Sequence, residues 1–291
     1  MRRLFENIKK AAQTDVSIYI SGETGVGKEL VARAIHAESN RAKQPFVAVN
    51  VANFSTDLIE SQLFGHKKGA FTGAITNSPG LMQAAARGTL FLDEVTCLPA
   101  NTQAKLLRVL QERQYYPVGD VNLQEFSASI VSASNMSFEK AVELHHFRED
   151  LRYRLEVIPL EVPPLRDRPD DIILLFNYFL NLASDGKEWK IEQQLAKKLK
   201  RYSWPGNVRE LENCARFSAA MANSGRLVIN DLPENIQKAL NLKKPVKRKN
   251  LTRKIITKAL YKNDNNRNKT AENLGVSRMT LWRKMKAYDL L

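Results

Sequence analysis

The chain has 291 residues, 43% hydrophobic and 26% charged, which leaves room for about two domains and a sizeable buried core. No apolar run approaches the ~18 residues of a membrane span, and the basic first ten residues lead into AAQTD rather than an apolar leader core. Cys97 and Cys214 lie far apart with no metal-ligand spacing, so both are expected to be small buried hydrophobes in a protein of the reduced cytoplasm with no membrane partner. The net charge of +14 is unevenly placed. Residues 243–291 hold 15 Lys or Arg against 3 Asp or Glu, a net of +12, which leaves 30 against 28 for everything before them. A positive field concentrated at one end suits a phosphate-backbone binder, although a solvated basic tail has the same charge.

In chain order, VSIYI (16–20), PFVAVNV (45–51), GTLFLDEV (88–95) and SASIVSASN (127–135) read as buried strands. Helical patterns such as ELVARAIHAES and NTQAKLLRVLQER lie between them. This alternation predicts an α/β fold over 1–166, a parallel sheet flanked by helices. Past VPPLRDRPDDI (162–172) the strand signals stop, and helical periodicity predicts a small all-helical domain over 167–237. The charged, proline-bearing NLKKPVKRKN marks a linker within 238–250, and a last helical module spans 251–291.

Two motifs carry nucleotide chemistry. GETGVGKE places Gly22, Glu23, Thr24, Gly25, Val26, Gly27, Lys28 and Glu29 between the first strand and a helix. That is the setting in which backbone N–H groups and a helix N-terminus cradle phosphates, with Lys28 reaching the β- and γ-phosphates. The generic motif has Ser or Thr after the Lys; here the residue is Glu29. Downstream, TLFLDE ends a strand in two carboxylates. Asp93 is placed to hold a metal ion directly or through water, and Glu94 to polarise an attacking water. Between these motifs lies GAFTGA, formed by Gly69, Ala70, Phe71, Thr72, Gly73 and Ala74. A glycine-flanked Phe-Thr pair there suggests a surface loop whose tip moves with the state of the nucleotide.

GETGVGKE, LFGHKKGAFTGA, GTLFLDEV, FREDLRYRL, PPLRDRPDDI and WPGNVREL occur in that order, and with them nearly the whole chain resembles the AAA+ ATPases that activate sigma-54-dependent transcription. The resemblance implies an AAA+ P-loop sheet followed by a helical lid, ATP and Mg²⁺ as cofactors, and a hexameric ring of identical subunits. It implies sigma-54 RNA polymerase as the partner remodelled through GAFTGA, with Phe71 and Thr72 as contact residues. Asn50 matches an Asn that couples the catalytic Glu to that loop, and Asn135 a sensor of the γ-phosphate. Arg148 and Arg154 match arginine fingers offered to a neighbouring subunit's ATP, and Arg209 a sensor in the lid. Pairing of Arg148 and Arg154 with Glu149, Asp150 or Glu156 is the alternative. The chain departs from the pattern at Lys67, where Glu is usual, and at Ser129, where Arg is common. Only 15 residues precede the first strand, so a segment that helps close over adenine and a receiver domain are expected to be absent.

NRNKTAENLGVSRMTLWRKMKAYDL resembles the Fis-type helix-turn-helix that usually ends these activators. Ala271 and Leu274 supply one inner face, Gly275 permits the turn, and Ser277 suits the N-cap of the next helix. Leu281, Met285 and Tyr288 form its buried stripe. Ser277, Arg278, Thr280, Arg283 and Lys284 are then the candidate contacts to double-stranded DNA, and Trp282 is expected to pack. A helical dimerisation hairpin is the alternative. For the whole chain the competing readings are a DNA-binding regulator with a vestigial ATPase and a generic AAA+ remodeller.

Overall fold

The computed structural model describes residues 1–184, 189–222, 225–241, 253–263, 266–274, 278–288 and 290. After α1 (Arg2–Ala12) come β1 (Ile18–Ser21), α2 (Lys28–Glu38), β2 (Phe46–Asn50), α3 (Thr56–Phe64), the paired β3 (Gly65–His66) and β4 (Ser78–Pro79), α4 (Leu81–Ala85) and β5 (Thr89–Asp93). Next are α5 (Ala100–Glu112), a small hairpin of β6 (Gln114–Tyr115) and β7 (Gln124–Glu125), then β8 (Ser129–Ser134), α6 (Phe138–Glu143), α7 (Glu149–Leu155) and β9 (Ile158–Glu161). α8 (Pro169–Ala183), β10 (Lys190–Ile191), α9 (Gln193–Leu199), α10 (Asn207–Met221) and β11 (Arg226–Leu227) complete the first of two compact units, Met1–Leu227. α11 (Glu234–Asn241), α12 (Arg253–Lys262), α13 (Arg267–Leu274) and α14 (Arg278–Ala287) belong to the second, Val228–Leu291.

The main sheet has five parallel strands in the order β2-β5-β8-β1-β9. Its three central strands, β5, β8 and β1, are buried almost throughout because helices cover both faces, and alternate residues feed two cores. Tyr19, Leu90, Leu92 and Ile130 enter one with α3, α5 and α7. Ile18, Ile20, Phe91, Val131 and Ala133 enter the other with α1 and α2. The fifth strand, β9, was not among the expected four. Pro159 pairs opposite Tyr19 within it, and an edge strand tolerates a proline that a central strand would not.

The segment after β9 is not wholly helical as expected. α8 and α10 pack through Ile172, Phe176 and Leu180 against Leu211 and Ala215, but β10 and β11 add a short parallel pair. The two cysteines also part company. Cys214 is buried, its thiol pushed up to about 12 by desolvation, whereas Cys97 is exposed at the end of the turn after β5. In the second unit Ile256, Leu260, Ala271, Leu281 and Met285 form a small core, with Leu274 and Tyr288 packed on it.

The approach of β5 to the chain before β2 leaves no room for a side chain at Gly88, whose added Cβ would overlap the Pro45 carbonyl oxygen. Gly88→Ala should cost on the order of 1–3 kcal/mol, read as a lower urea midpoint at unchanged m-value. An unchanged midpoint would contradict this packing.

Candidate functional site

Parallel register sets several strand ends at one level. Asn50 lies opposite Asp93, and Ser21 lies opposite Ser134, so the P-loop, the paired carboxylates and Asn135 all emerge from the carboxyl edge of the sheet. Asn50 Nδ2 donates to Asp93 Oδ2 at 3.2 Å, while its own Oδ1 accepts from the Ala52 N–H at 3.0 Å. The Asn thus engages Asp93, its neighbour across the ladder, rather than Glu94 as the coupling role would suggest. The Glu94 N–H donates to Asp93 Oδ1 at 3.0 Å, and Glu94 holds φ of 51°, a left-handed backbone that a non-glycine residue adopts at a cost.

That turn points the Glu94 carboxylate toward the P-loop. Its Oε2 accepts from the Asn135 N–H at 3.2 Å, and its Oε1 lies 3.8 Å from Lys28 Nζ. Asn135 Nδ2 donates to Thr24 Oγ1 at 3.4 Å. Lys28 is buried at the start of α2 and donates to the Gly22 carbonyl at 3.0 Å. Glu94, Asn135, Thr24 and Lys28 are therefore brought together. Among the described residues no cluster of three His, Cys, Asp or Glu could hold a metal alone. A single carboxylate at Asp93 nonetheless fits Mg²⁺, which takes its other oxygens from phosphates and water.

The first unit also ties its P-loop to the segment after β9, through residues the motifs did not single out. Asn207 is fully buried, with φ of 51°. Its Nδ2 donates to Glu23 Oε2 at 3.1 Å and to the Thr24 carbonyl at 3.0 Å, and its Oδ1 accepts from the Leu165 N–H at 2.9 Å. Arg166 grips Glu23 with two bonds of 2.8 and 2.6 Å, and Arg168 donates to the Val26 carbonyl at 3.0 Å. Gly25 accepts from the N–H groups of Val208 and Arg209 at 2.9 and 3.3 Å, which sets Arg209 over the P-loop. A Cβ at Gly25 would overlap the Gly206 carbonyl. Asn207 lies in WPGNVREL and Arg166 and Arg168 in PPLRDRPDDI, but nothing in those motifs marks a side chain as bonded to the P-loop. A buried amide has no pattern of its own.

Other expected residues are occupied elsewhere. Glu29 turns to Arg33, accepting at 3.0 and 2.7 Å, away from the strand ends. Arg148 takes the alternative pairing, with bonds of 3.0 and 2.7 Å to Asp150, and Arg154 stands exposed on α7.

The GAFTGA segment is folded down on itself. The Gly69 N–H donates to the Ala74 carbonyl at 2.8 Å, the Ala74 N–H to the Phe71 carbonyl at 3.0 Å, and Ala74 is buried. Phe71 rests edge-on against His66 at 5.0 Å between centroids, 39% exposed, with Thr72 exposed beside it. The stem is a crossing of two backbones, since a Cβ at Gly65 would lie 2.6 Å from the Gly80 nitrogen.

In the second unit Arg278 and Arg283 are exposed on α14 and Thr280 and Lys284 half-buried, while Ser277 and Gly275 lie outside the described residues. Trp282, expected to pack, lies outside the small core. It is 45% exposed, with Lys286 Nζ 5.4 Å from its ring centre.

A P-loop, an acidic strand end and a helical segment docked on that loop define a nucleotide-binding protein of the AAA+ class. Residues 1–161 match the model of the Sigma-54 interaction domain, 166–249 that of the AAA+ ATPase lid domain, and 248–288 that of the bacterial regulatory protein, Fis family. The chain belongs to the sigma-54-dependent AAA+ transcriptional activators. It is 42% identical over 308 residues to the regulatory protein AtoC of Escherichia coli (strain K12), which covers 100% of this chain and 66% of AtoC. It is 48% identical over 223 residues to NtrC of Bradyrhizobium sp. (strain RP501 Parasponia), covering 76% of this chain and 46% of NtrC. The crystal structure of NtrX from Brucella abortus in complex with ATP superimposes with a TM-score of 0.74 at 34% identity, over 99% of this chain and 67% of that one. The chain thus spans about two thirds or less of the length of the curated relatives it matches. No helix among the described residues is long and apolar enough to cross a membrane.

The Arg166 guanidinium and then the Asn207 amide hold the Glu23 carboxyl at about 2, against an ordinary 4.5. Because the folded value is depressed, this contribution to stability is full above 4.5 and is lost as pH falls toward 2. Glu23→Gln should flatten the fall of the unfolding midpoint across that window. A parallel pH profile in the variant would show that the contact does not hold.

Proposed function

We propose that the protein is an ATP-hydrolysing transcription activator. It binds upstream DNA, assembles into a hexameric ring in the cytoplasm, and uses ATP turnover to remodel sigma-54 RNA polymerase to the open complex. The observation that carries this reading is the convergence of Glu94, Asn135, Thr24 and Lys28 on one strand edge, with Asn50 bonded to Asp93 beside them. The residues 1–166, 167–237, 238–250 and 251–291 serve as ATPase, lid, linker and DNA-binding parts.

Phosphoryl transfer is catalysed mainly by positioning and by placing positive charge on the transferring group. Lys28, already buried at the helix start, supplies that charge at the β- and γ-phosphates. Glu94, oriented by the Asn135 N–H, accepts a hydrogen bond from the attacking water. Asp93 would hold Mg²⁺, which would supply positive charge to offset that of the phosphates. Asn135 and Arg209 stand where loss of the γ-phosphate alters their surroundings. Asn50 caps the turn Val51–Asn53 that leads into α3, and α3 ends at the stem of GAFTGA. A shift at the strand ends therefore has a short covalent route to Phe71 and Thr72. Arg148 and Arg154 act in trans, Arg148 exchanging Asp150 for a neighbour's phosphate, so that turnover depends on assembly.

Phe71→Ala should leave ATP hydrolysis intact and abolish open-complex formation at a sigma-54 promoter, while Lys28→Ala should abolish turnover itself. Normal activation by the first variant, or normal turnover by the second, would overturn the assignment. On the DNA side, Arg283→Ala should weaken binding roughly uniformly across sequences and reduce the salt slope by about 1, as for a lost phosphate contact. An unchanged slope in a filter-binding series would remove Arg283 from the interface.

A further inference from the structure

Lys67 departs from the family pattern by reversing the charge at the base of the GAFTGA loop, and the structure supplies a partner for the new charge. Its Nζ lies 3.3 Å from Asp120 Oδ2. Asp120 sits in the connection between β6 and β7, and its side chain is only 7% exposed. The carboxylate is fixed before Lys67 reaches it: Oδ1 accepts from the Asn122 N–H at 3.1 Å and from Asn122 Nδ2 at 2.9 Å, which leaves Oδ2 to the lysine.

The pair does not stand alone. The Lys67 N–H donates to the Val118 carbonyl at 3.0 Å, and the Val118 N–H to the Gly65 carbonyl at 2.9 Å, so the connecting segment runs beside the loop's stem. Gly119 lies so close to the loop that a Cβ there would come within 2.7 Å of the Ala70 Cβ. Backbone bonds thus join the two loops at the stem. The ion pair adds a side-chain tie at the last residue but one before GAFTGA.

We propose that Asp120 is a positioning residue for the GAFTGA loop, latching it through Lys67 onto the β6–β7 connection and so holding Phe71 back. This rests on the reading of GAFTGA as the sigma-54 contact. Neither Lys67 nor Asp120 bonds to the P-loop or to Asp93 and Glu94, so the latch governs presentation of the tip and not hydrolysis. A glutamate at position 67 would face Asp120 with like charge, and the latch could not form.

The test is a double-mutant cycle in the full chain, read by amide hydrogen exchange of residues 67–77 without sigma-54 or polymerase. Lys67→Met and Asp120→Asn should each speed exchange about threefold, a modest change suited to a pair whose lysine is half-exposed. The double variant should be no faster than either single one. Lys67→Arg should keep the slow exchange, and Lys67→Glu should exceed Lys67→Met. If Asp120 merely shapes its own turn, Asp120→Asn will speed exchange while Lys67→Met will not, and the proposal falls. Additive effects or unchanged rates also overturn it. With purified sigma-54, Asp120→Asn should raise nucleotide-independent retention about threefold at unchanged ATP turnover. If no variant, nor the parent chain, retains sigma-54 in any nucleotide state, the reading of GAFTGA fails while the exchange cycle still decides the latch.

Discussion

Parallel pairing in register is the constraint from which the site follows. Each central strand is buried on both faces, so its position along its neighbours is fixed by two cores at once, and a slip of one residue would send Leu90 and Phe91 each into the wrong core. With that register set, Asn50 meets Asp93 across the ladder and Ser21 meets Ser134, with no further instruction needed. Glu94 then accepts a left-handed backbone to bring its carboxylate under the Asn135 N–H. The local cost at Glu94 is offset by the rigidity of the sheet that holds it.

A second constraint acts from the segment after β9. Asn207, fully buried, bonds to Glu23, to the Thr24 carbonyl and to the Leu165 N–H, and Arg166 and Arg168 add two further ties to the P-loop. The loop that would receive phosphates is therefore held on one side by the sheet and on the other by α10 and the chain leading to α8. Glu23, whose place in the motif suggests phosphate binding, is committed to these structural partners through its side chain.

The motif-bearing parts of the site were legible in the sequence because each rests on a short local pattern. A glycine-rich turn between strand and helix gives Lys28, and an apolar strand ending in two acids gives Asp93 and Glu94. What could not be read depends on distant partners. Nothing local distinguishes the buried amide of Asn207 from a solvated one, and Glu29 gives no sign that Arg33 draws it away from the strand ends. β9 was hidden by Pro159, tolerated only because the strand lies at an edge, a fact set by topology. Trp282 was expected to pack, but α14 presents Leu281 and Met285 to its small core and leaves Trp282 45% exposed beside Lys286.

The crossing of Gly65 and Gly80 gives the GAFTGA segment an unusual mechanics. Two main chains meet there with no side chain between them, so the contact has no rotamers to relax and almost no compliance. By contrast, a Cβ at Gly69 or Gly73 would touch nothing within 4 Å, and an L-residue at either would face only the torsional strain of positive φ. The segment is in effect a lever with a stiff fulcrum and a soft end. Under the proposed mechanism, motion delivered along α3 would reach the tip without being absorbed at the pivot.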